Sequence, residues 1–250
     1  DPVFGERAST FSFAGPKRFD FTEHMAVERL PKVDVVLLSH DHYDHLDHGT
    51  IKELVRSAAA KDARWIAPLG AGAHLEYWGV PASAIAERDW WEDLTVDEVR
   101  LTLAPSRHFS GRGLTNRFST LWGSWVIEGK ERKVYFGADS GYSPTFKEVG
   151  DRSGPFDLVL LECGAYNEHW ADIHMFPEQT AQAAWDTKAR LLMPVHWGKF
   201  SLALHPWKEP ITRLGTRAAE LQLPLFTPRI GRIVHDPKAD DSEAWWLDLE

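Results

Sequence analysis

The sequence predicts an α/β fold in which sheets are covered by helices within one domain. Short apolar runs typical of β-strands alternate with helix-type segments, and some strand runs follow each other directly, without a helix between them. The composition supports a sizeable core, because 43% of the 250 residues are hydrophobic, including twelve Trp and thirteen Phe. No repeat or low-complexity segment interrupts the pattern, so we expect residues 1–250 to form a single domain.

The predicted strands and helices follow from composition and spacing. Several strand runs are continuously apolar, as expected for strands that are buried on both faces. Helices are indicated by cap-type residues before an amphipathic segment, by Pro and Glu in a first turn, or by apolar residues at helical spacing. The expected strands span residues 33–39, 64–68, 99–105, 119–129, 132–139, 156–162 and 189–196, and the expected helices span 47–60, 176–188 and 209–223.

Charge and cysteine content limit the classes of function. The net charge of −9 does not favour nucleic acid, whose phosphates require basic neutralisation, and it gives no general attraction to anionic membranes. The single cysteine, Cys163, excludes an internal disulfide framework and fits a reducing compartment. No signal peptide is recognisable, and no apolar run approaches the roughly 18 residues of a membrane-spanning helix.

The stretch LLSHDHYDHLD, residues 37–47, places three histidines and three aspartates directly after an apolar run. In an extended segment, residues two apart face the same way, so His40, His42 and Asp44 can project together, and a turn can bring in His45. Imidazole and carboxylate groups suit a zinc-type ion. The alternative is a solvated polar loop, which the H-x-H-x-D-H order disfavours. His48 lies outside this spacing, at an expected helix start.

Three further ligand-type residues follow other apolar runs in the same manner. His108, Asp139 and His196 each come at or just after the end of a predicted strand, in a loop rich in Gly, Ser or Pro. Each alone could be a satisfied structural residue. Since loops collect at one edge of a sheet, we expect the three to converge with the H-x-H-x-D-H loop. Together they exceed the ligands of one tetrahedral zinc, which makes a second ion plausible.

These motifs resemble the metallo-β-lactamase superfamily, and within it the N-acylphosphatidylethanolamine phospholipase D branch with its bacterial relatives. The resemblance also covers DPVFGERAS, GPKRF, DWWED, LWGSW, GPFDL, GAY, IHMFPEQT and VHWGKFSLALH, in the family's order, from Asp1 to about residue 210. It implies an αββα sandwich with the site at one edge of two packed sheets. The family's strands that normally precede DPVF, with their Gly-His element, are not found here.

The resemblance also implies a ligand assignment. His40, His42 and His108 would hold one zinc ion, and Asp44, His45 and His196 the second, with Asp139 bridging the two. Two such ions, about 3.5–4 Å apart, would activate a shared water and polarise a phosphoryl or carbonyl oxygen. Asp44 and Asp139 would thus take part in catalysis. His174 precedes an expected helix start, where anions are favoured, and could contact a phosphate or donate a proton; capping or packing is its alternative role.

Three functions remain open at this point. The first is hydrolysis of a phosphodiester with a lipid-like arm, and the second is hydrolysis of a lactone. The third is a non-catalytic zinc module, which a ligand set with open water positions disfavours. No nearby serine lies in a G-x-S-x-G elbow, and Cys163 lies among apolar neighbours, so no covalent nucleophile is expected. The relatives imply a cytoplasmic or membrane-peripheral location. Either core packing or a lipid groove can account for four tryptophans, Trp122, Trp125, Trp170 and Trp197.

Overall fold

A computed structural model describes residues 1–21, 26–238 and 242–249. Two β-sheets pack face to face and helices cover their outer faces. The first sheet has three parallel strands in the order β1-β2-β3. They are β1 (Val35–Leu37), β2 (Arg64–Pro68) and β3 (Ile85–Arg88).

The second sheet has six strands in sequence order and a mixed topology. Its first four strands are antiparallel neighbours, whereas its last three strands are parallel. The second, fourth, fifth and sixth strands of this sheet therefore run in one direction, and their carboxyl ends meet at one edge. The strands are β4 (Asp93–Val96), β5 (Val99–Ala104), β6 (Ser124–Glu128), β7 (Lys133–Phe136), β8 (Leu158–Glu162) and β9 (Leu192–Val195).

Within the described ranges, five α-helices complete the outer layers. The first begins as its sequence predicts, because the Asp47 side chain accepts a hydrogen bond from the backbone N–H of Thr50 at 3.0 Å. In the part of the chain that the structure describes, no helix is both long and apolar enough to span a membrane. The helices are α1 (His48–Arg56), α2 (Gly72–Tyr77), α3 (Thr145–Arg152), α4 (Pro177–Asp186) and α5 (Glu209–Glu220), with short 3-10 helices at Val27–Arg29, Ala82–Ala84 and Glu168–Trp170.

Three groups of buried side chains correspond to the three interfaces between the layers. One joins the first sheet to α1 and α2, and another joins the second sheet to α3, α4 and α5. The third lies between the sheets, where Ile66 of β2 packs with Leu101, Leu103 and Trp125 of the second sheet. This order of layers is the αββα sandwich, so the predicted fold class is confirmed.

Some predicted elements are shorter than expected, and four were missed. Residues 119–123 are not part of a strand, because they bond to the loops that follow β2 and β1: Leu121 donates to the Leu69 carbonyl at 2.7 Å and Gly123 to the Ser39 carbonyl at 3.0 Å. The missed elements β3, β4, α2 and α3 are short and carry polar residues or glycine. In α3, Gly150 is required by packing, since an added Cβ would lie 2.2 Å from the Asp186 carbonyl oxygen.

Candidate metal centre

Hydrogen bonds from β6 and from the residue just before it hold the two loop residues that lie between β1 and His40. The indole N–H of Trp125 donates to the Leu38 carbonyl at 2.8 Å, and Gly123 donates to the Ser39 carbonyl. The loop then turns, since the backbone N–H groups of His45 and Leu46 both donate to the His42 carbonyl. These bonds hold the H-x-H-x-D-H segment at the edge of the sandwich.

The parallel strands of the second sheet bring three acidic or imidazole side chains to the same edge. Asp139 follows β7, Glu162 is the last residue of β8, and His196 directly follows β9. His108 comes from the loop after β5, which runs in the same direction. The structure thus brings all seven residues that the sequence suggested as metal ligands into one cluster.

Some backbone positions at this edge have unusual conformations. His196 has φ of 60° and Ala138, which precedes Asp139, has φ of 52°. Residues other than glycine rarely adopt this left-handed region, and such strain concentrates at functional sites. Gly164 is needed for the same arrangement, because an added Cβ would lie 2.3 Å from the His196 carbonyl oxygen.

Three histidines form the first half of the cluster, here called the histidine set: His40, His42 and His108. Nδ1 of His42 lies 2.9 Å from Nε2 of His40 and 3.2 Å from Nε2 of His108. One ring nitrogen cannot form good hydrogen bonds to two others at once, because it has either one lone pair or one proton. Burial also lowers the pKa of His108 to about 3, so this ring is neutral, as a metal ligand must be.

The other half, here called the mixed set, consists of Asp44, His45 and His196. Nε2 of His196 lies 2.9 Å from Oδ2 of Asp44, and Nε2 of His45 lies 3.6 Å from the same oxygen. Although burial opposes ionisation, His45 and His196 hold the pKa of Asp44 well below its usual range. The mixed set therefore combines a carboxylate with two imidazole nitrogens.

Asp139 lies between the two sets. Its Oδ2 is 3.1 Å from Nε2 of His45, 3.7 Å from Nε2 of His108 and 4.0 Å from Nε2 of His40, and its Oδ1 is 3.5 Å from Nε2 of His196. Burial would raise the pKa of this carboxyl group, but His196 and His45 hold it well below its usual range. An anionic carboxylate is thus shared by residues of both sets.

The donor atoms fit bound metal ions better than they fit one another. Side-chain atoms of the histidine set lie within 4.8 Å of one another, and so do those of the mixed set with Asp139. Oδ1 of Asp139 is buried without a hydrogen-bond partner among the described residues, and Nε2 of His45, although 3.1 Å from Oδ2 of Asp139, is not aligned for a hydrogen bond with any of them. Unsatisfied buried donors and acceptors are rare in folded proteins, so a cation is the simplest way to satisfy them.

Several ligand-type histidines are oriented by hydrogen bonds from their second ring nitrogen. Nδ1 of His45 lies 2.8 Å from Oδ2 of Asp1, which also accepts the Ser39 hydroxyl at 2.5 Å. Nδ1 of His108 donates to the Ile173 carbonyl at 3.0 Å. Such partners fix the tautomer of a metal-ligating histidine and leave Nε2 free for the metal.

His174 lies beside the cluster and faces a carboxylate that the sequence analysis did not identify. Its Nδ1 is 3.1 Å from both oxygens of Glu162. Burial disfavours the charged ring, but this carboxylate more than offsets it and raises the pKa of His174 to about 9. Sequence reasoning gave no role to Glu162 or Asp1. Glu162 does end an apolar run, which is the same signal that identified His196.

The cluster forms the floor of a cleft of about 300 Å³. The apolar part of its wall consists of Phe109, Ala165, Trp170, Ile173 and Leu202. A second cavity, of about 500 Å³, reaches Asp44, His45, Asp139 and His196 and is lined by Trp197.

The four tryptophans have different environments. A groove role for Trp125 is wrong, because this side chain is completely buried between the sheets. Trp170 lines the smaller cleft and Trp197 the larger cavity, while Trp122 packs against Phe118 with ring centroids 5.6 Å apart.

Two further residues from the sequence analysis lie away from the cluster's donor atoms. His48 is exposed at the start of α1, with its ring centroid 5.0 Å from that of Trp78. Cys163 is completely buried, and burial raises the pKa of its thiol well above the usual range. A thiol in this state is a poor nucleophile.

Comparison with known proteins gives the family. Residues 1–197 match the family model described as a β-lactamase superfamily domain. An uncharacterised protein of Mycobacterium tuberculosis is 44% identical over 98% of this chain and 66% of its own length. An N-acyl-phosphatidylethanolamine-hydrolyzing phospholipase D of Caenorhabditis elegans is 34% identical over 81% of this chain and 59% of its own length. The chain thus spans about three fifths to two thirds of the length of these relatives.

A solved structure supports the fold independently. The isothiocyanate hydrolase from Delia radicum gut bacteria has a TM-score of 0.64 and 20% identity, and the match covers 86% of this chain and 81% of that one. At this identity the likeness concerns the fold alone. Together with the αββα layers and the His/Asp cluster at their edge, the family match shows that the chain belongs to the metallo-β-lactamase superfamily.

Proposed function

We propose that this domain is a dinuclear zinc hydrolase that cleaves a phosphodiester of the N-acylphosphatidylethanolamine type. The observation that carries the substrate class is the 34% identity, over 81% of the chain, to a nematode protein named for hydrolysing this phospholipid. A lipid of this kind lies in a membrane, so the proposal includes peripheral contact with a bilayer. The apolar wall of the smaller cleft suits one arm of such a substrate.

The two sets of donor atoms define which residues would hold the ions. In this proposal the histidine set holds one zinc ion, the mixed set holds the other, and Asp139 serves both. When bound, the two ions would supply Lewis acidity toward a phosphoryl oxygen and would lower the pKa of a water molecule. The largely buried carboxylate of Asp44 and the buried carboxylate of Asp139 would offset the charge of two dications.

His174 is placed to handle a proton at the same cleft. Its Nδ1 is engaged by Glu162, which leaves Nε2 as the nitrogen that can exchange a proton with a substrate. A leaving alcohol requires a proton as its bond to phosphorus breaks, and a positioned imidazole commonly supplies one. We therefore assign His174 as the general acid, which gives its proton to the oxygen of the leaving alcohol.

The test compares two substrates under one set of conditions. Zinc-loaded protein is assayed with N-acylphosphatidylethanolamine in detergent micelles and with a lactone, each with and without a chelator. The proposal expects chelator-sensitive release of the N-acylethanolamine and slow opening of the lactone. Rapid lactone opening with no phosphodiester cleavage would show that the substrate is a lactone and that the proposed phosphodiester is wrong. Zinc binding without turnover of either substrate would favour a non-catalytic module.

A further inference from the structure

Glu162 is a completely buried carboxylate that belongs to neither the histidine set nor the mixed set. It is the last residue of β8, between the strands that lead to Asp139 and His196. A carboxylate in such a place destabilises the fold unless its oxygens are well supplied with hydrogen bonds. Its partners therefore indicate what it does.

The carboxylate connects two loops of the site through their backbones. Oε1 accepts the N–H of Met175 at 3.1 Å and that of Ser140 at 3.4 Å. Met175 follows His174 and Ser140 follows Asp139 in the chain. Both oxygens of Glu162 also lie 3.1 Å from Nδ1 of His174. Because a carboxylate only accepts hydrogen bonds, Nδ1 of His174 must carry the proton in this contact.

A second histidine presents the same nitrogen to Glu162. Nδ1 of His196 is buried without a hydrogen-bond partner among the residues that the structure describes, and it lies 3.8 Å from Oε2 of Glu162. Nε2 of His196 points the other way, toward Asp44. A histidine that ligates through Nε2 has its proton on Nδ1, and such protons commonly face a carboxylate.

We propose that Glu162 is a positioning residue that keeps the Nδ1 protons of His174 and His196 directed at itself, so that Nε2 of both rings faces the metal centre. The proposal deepens the proposed function, on which it depends for the role of the metal ions. Direct ligation by Glu162 is the alternative, since its atoms lie within 4.8 Å of donor atoms of Asp139, His174 and His196. The positioning role is favoured because both oxygens already accept N–H groups.

The test uses Glu162→Gln in zinc-loaded protein with ¹⁵N-labelled histidine. The amide keeps the size of the side chain, but its NH₂ group must face one of the N–H donors that the carboxylate accepted. Two-bond ¹H–¹⁵N correlation spectra then report which ring nitrogen of each histidine carries a proton. We expect a protonated Nδ1 on His174 and His196 in the wild type, and loss of the Nδ1 proton of His174 in the variant, which leaves that ring with a proton on Nε2 alone. Zinc competition with a chelator should show affinity weakened by about 10- to 100-fold.

The matched control is Glu128→Gln. Glu128 is a largely buried carboxylate at the opposite end of the second sheet, where it pairs with Arg100 and Lys133. Its replacement should destabilise the fold modestly without altering histidine spectra or zinc affinity. If Glu162→Gln does not fold, Glu162→Asp provides the second variant, because it keeps the charge but withdraws the carboxylate from both histidines. We expect Glu162→Asp to change the spectra and the affinity in the same direction.

Three results would overturn the positioning role. One is a wild-type His174 whose Nδ1 lacks a proton, which requires no variant. Another is a Glu162→Gln protein with unchanged spectra and unchanged zinc affinity. The third is a wild type that binds three ions and a variant that binds two, because Glu162 would then be a ligand. None of these measurements requires turnover. The positioning role of Glu162 can therefore be confirmed even if the protein does not cleave the phosphodiester, and it can be refuted even if the protein does.

Discussion

Oδ2 of Asp139 lies 3.1 Å from Nε2 of His45, and the same oxygen lies 3.7 Å from Nε2 of His108. His45 belongs to the mixed set and His108 to the histidine set, so one buried carboxylate contacts both halves of the proposed centre. Its charge would act on an ion bound in either half. This relationship makes Asp139 the residue whose replacement tests the ligand assignment most directly.

Replacing Asp139 by Asn keeps the side chain's size and removes the charge that offsets two dications. We expect activity to fall by several orders of magnitude, with weaker zinc occupancy of at least one set, measured by steady-state kinetics and elemental analysis. His48→Ala is the control, because His48 is exposed at the start of α1. Equal damage from the two variants would show that the ligands are wrongly assigned.

Metal content gives the second prediction. Protein purified without chelator and supplied with zinc should contain close to two ions per chain, since the donor atoms form two sets around Asp139. Removing the ions should lower the thermal midpoint in calorimetry, because a ligand at 100 times its Kd stabilises the fold by about 2.7 kcal/mol. A metal content near zero in zinc-replete protein would refute the metal centre as a whole.

Asp1 provides a third prediction, because it accepts hydrogen bonds from both His45 and Ser39. Asp1→Asn should weaken zinc binding by about 10- to 100-fold, the usual effect of losing a partner that orients a metal ligand. Chelator competition measures the affinity. Glu6→Gln is the control, since Glu6 forms its ion pair with the exposed Lys17 near the same terminus. Wild-type affinity in Asp1→Asn would show that His45 is oriented without the carboxylate charge.

The fourth prediction concerns the bond that is cleaved. In water enriched in ¹⁸O, hydrolysis should place one solvent oxygen on the phosphate-containing product and none on the alcohol, because attack at phosphorus breaks the bond to the leaving oxygen. Mass spectrometry of both products measures this. An added alcohol should not accept the phosphatidyl group efficiently, since a single displacement by water forms no covalent enzyme intermediate that the alcohol could intercept. Label in the alcohol would indicate attack at carbon and contradict the mechanism.

The fifth prediction separates two tryptophans. Trp125→Ala should destabilise the fold by about 3–5 kcal/mol, because the side chain is completely buried between the sheets. Trp170→Ala should cost about 1 kcal/mol, since Trp170 is half-buried, and should raise KM through loss of the cleft wall. Denaturant unfolding and kinetics on the lipid substrate distinguish the effects. A KM unchanged in Trp170→Ala would place the substrate elsewhere.

The sequence by itself determined the types of residue at the site and the strands that carry them. Residues 35–38, just before His40, are all apolar, and the alternation of His40, His42 and Asp44 is a local property of an extended segment. His108, Asp139 and His196 follow apolar runs in the same way. Buried strands and the polar loops after them depend on hydrophobicity over a few residues, so they can be recognised without knowledge of the rest of the chain.

Only the tertiary structure decided which distant groups meet. The contact of Asp1 with His45 joins residues 44 positions apart, and that of Glu162 with His174 joins a strand end to a loop 12 positions later; no local pattern specifies such partners. The burial of Trp125 was also decided by the tertiary structure, because a tryptophan side chain can lie in a core or line a groove. These outcomes depend on how two sheets and their helices pack, because burial and hydrogen bonding at each position are set by neighbours from other elements.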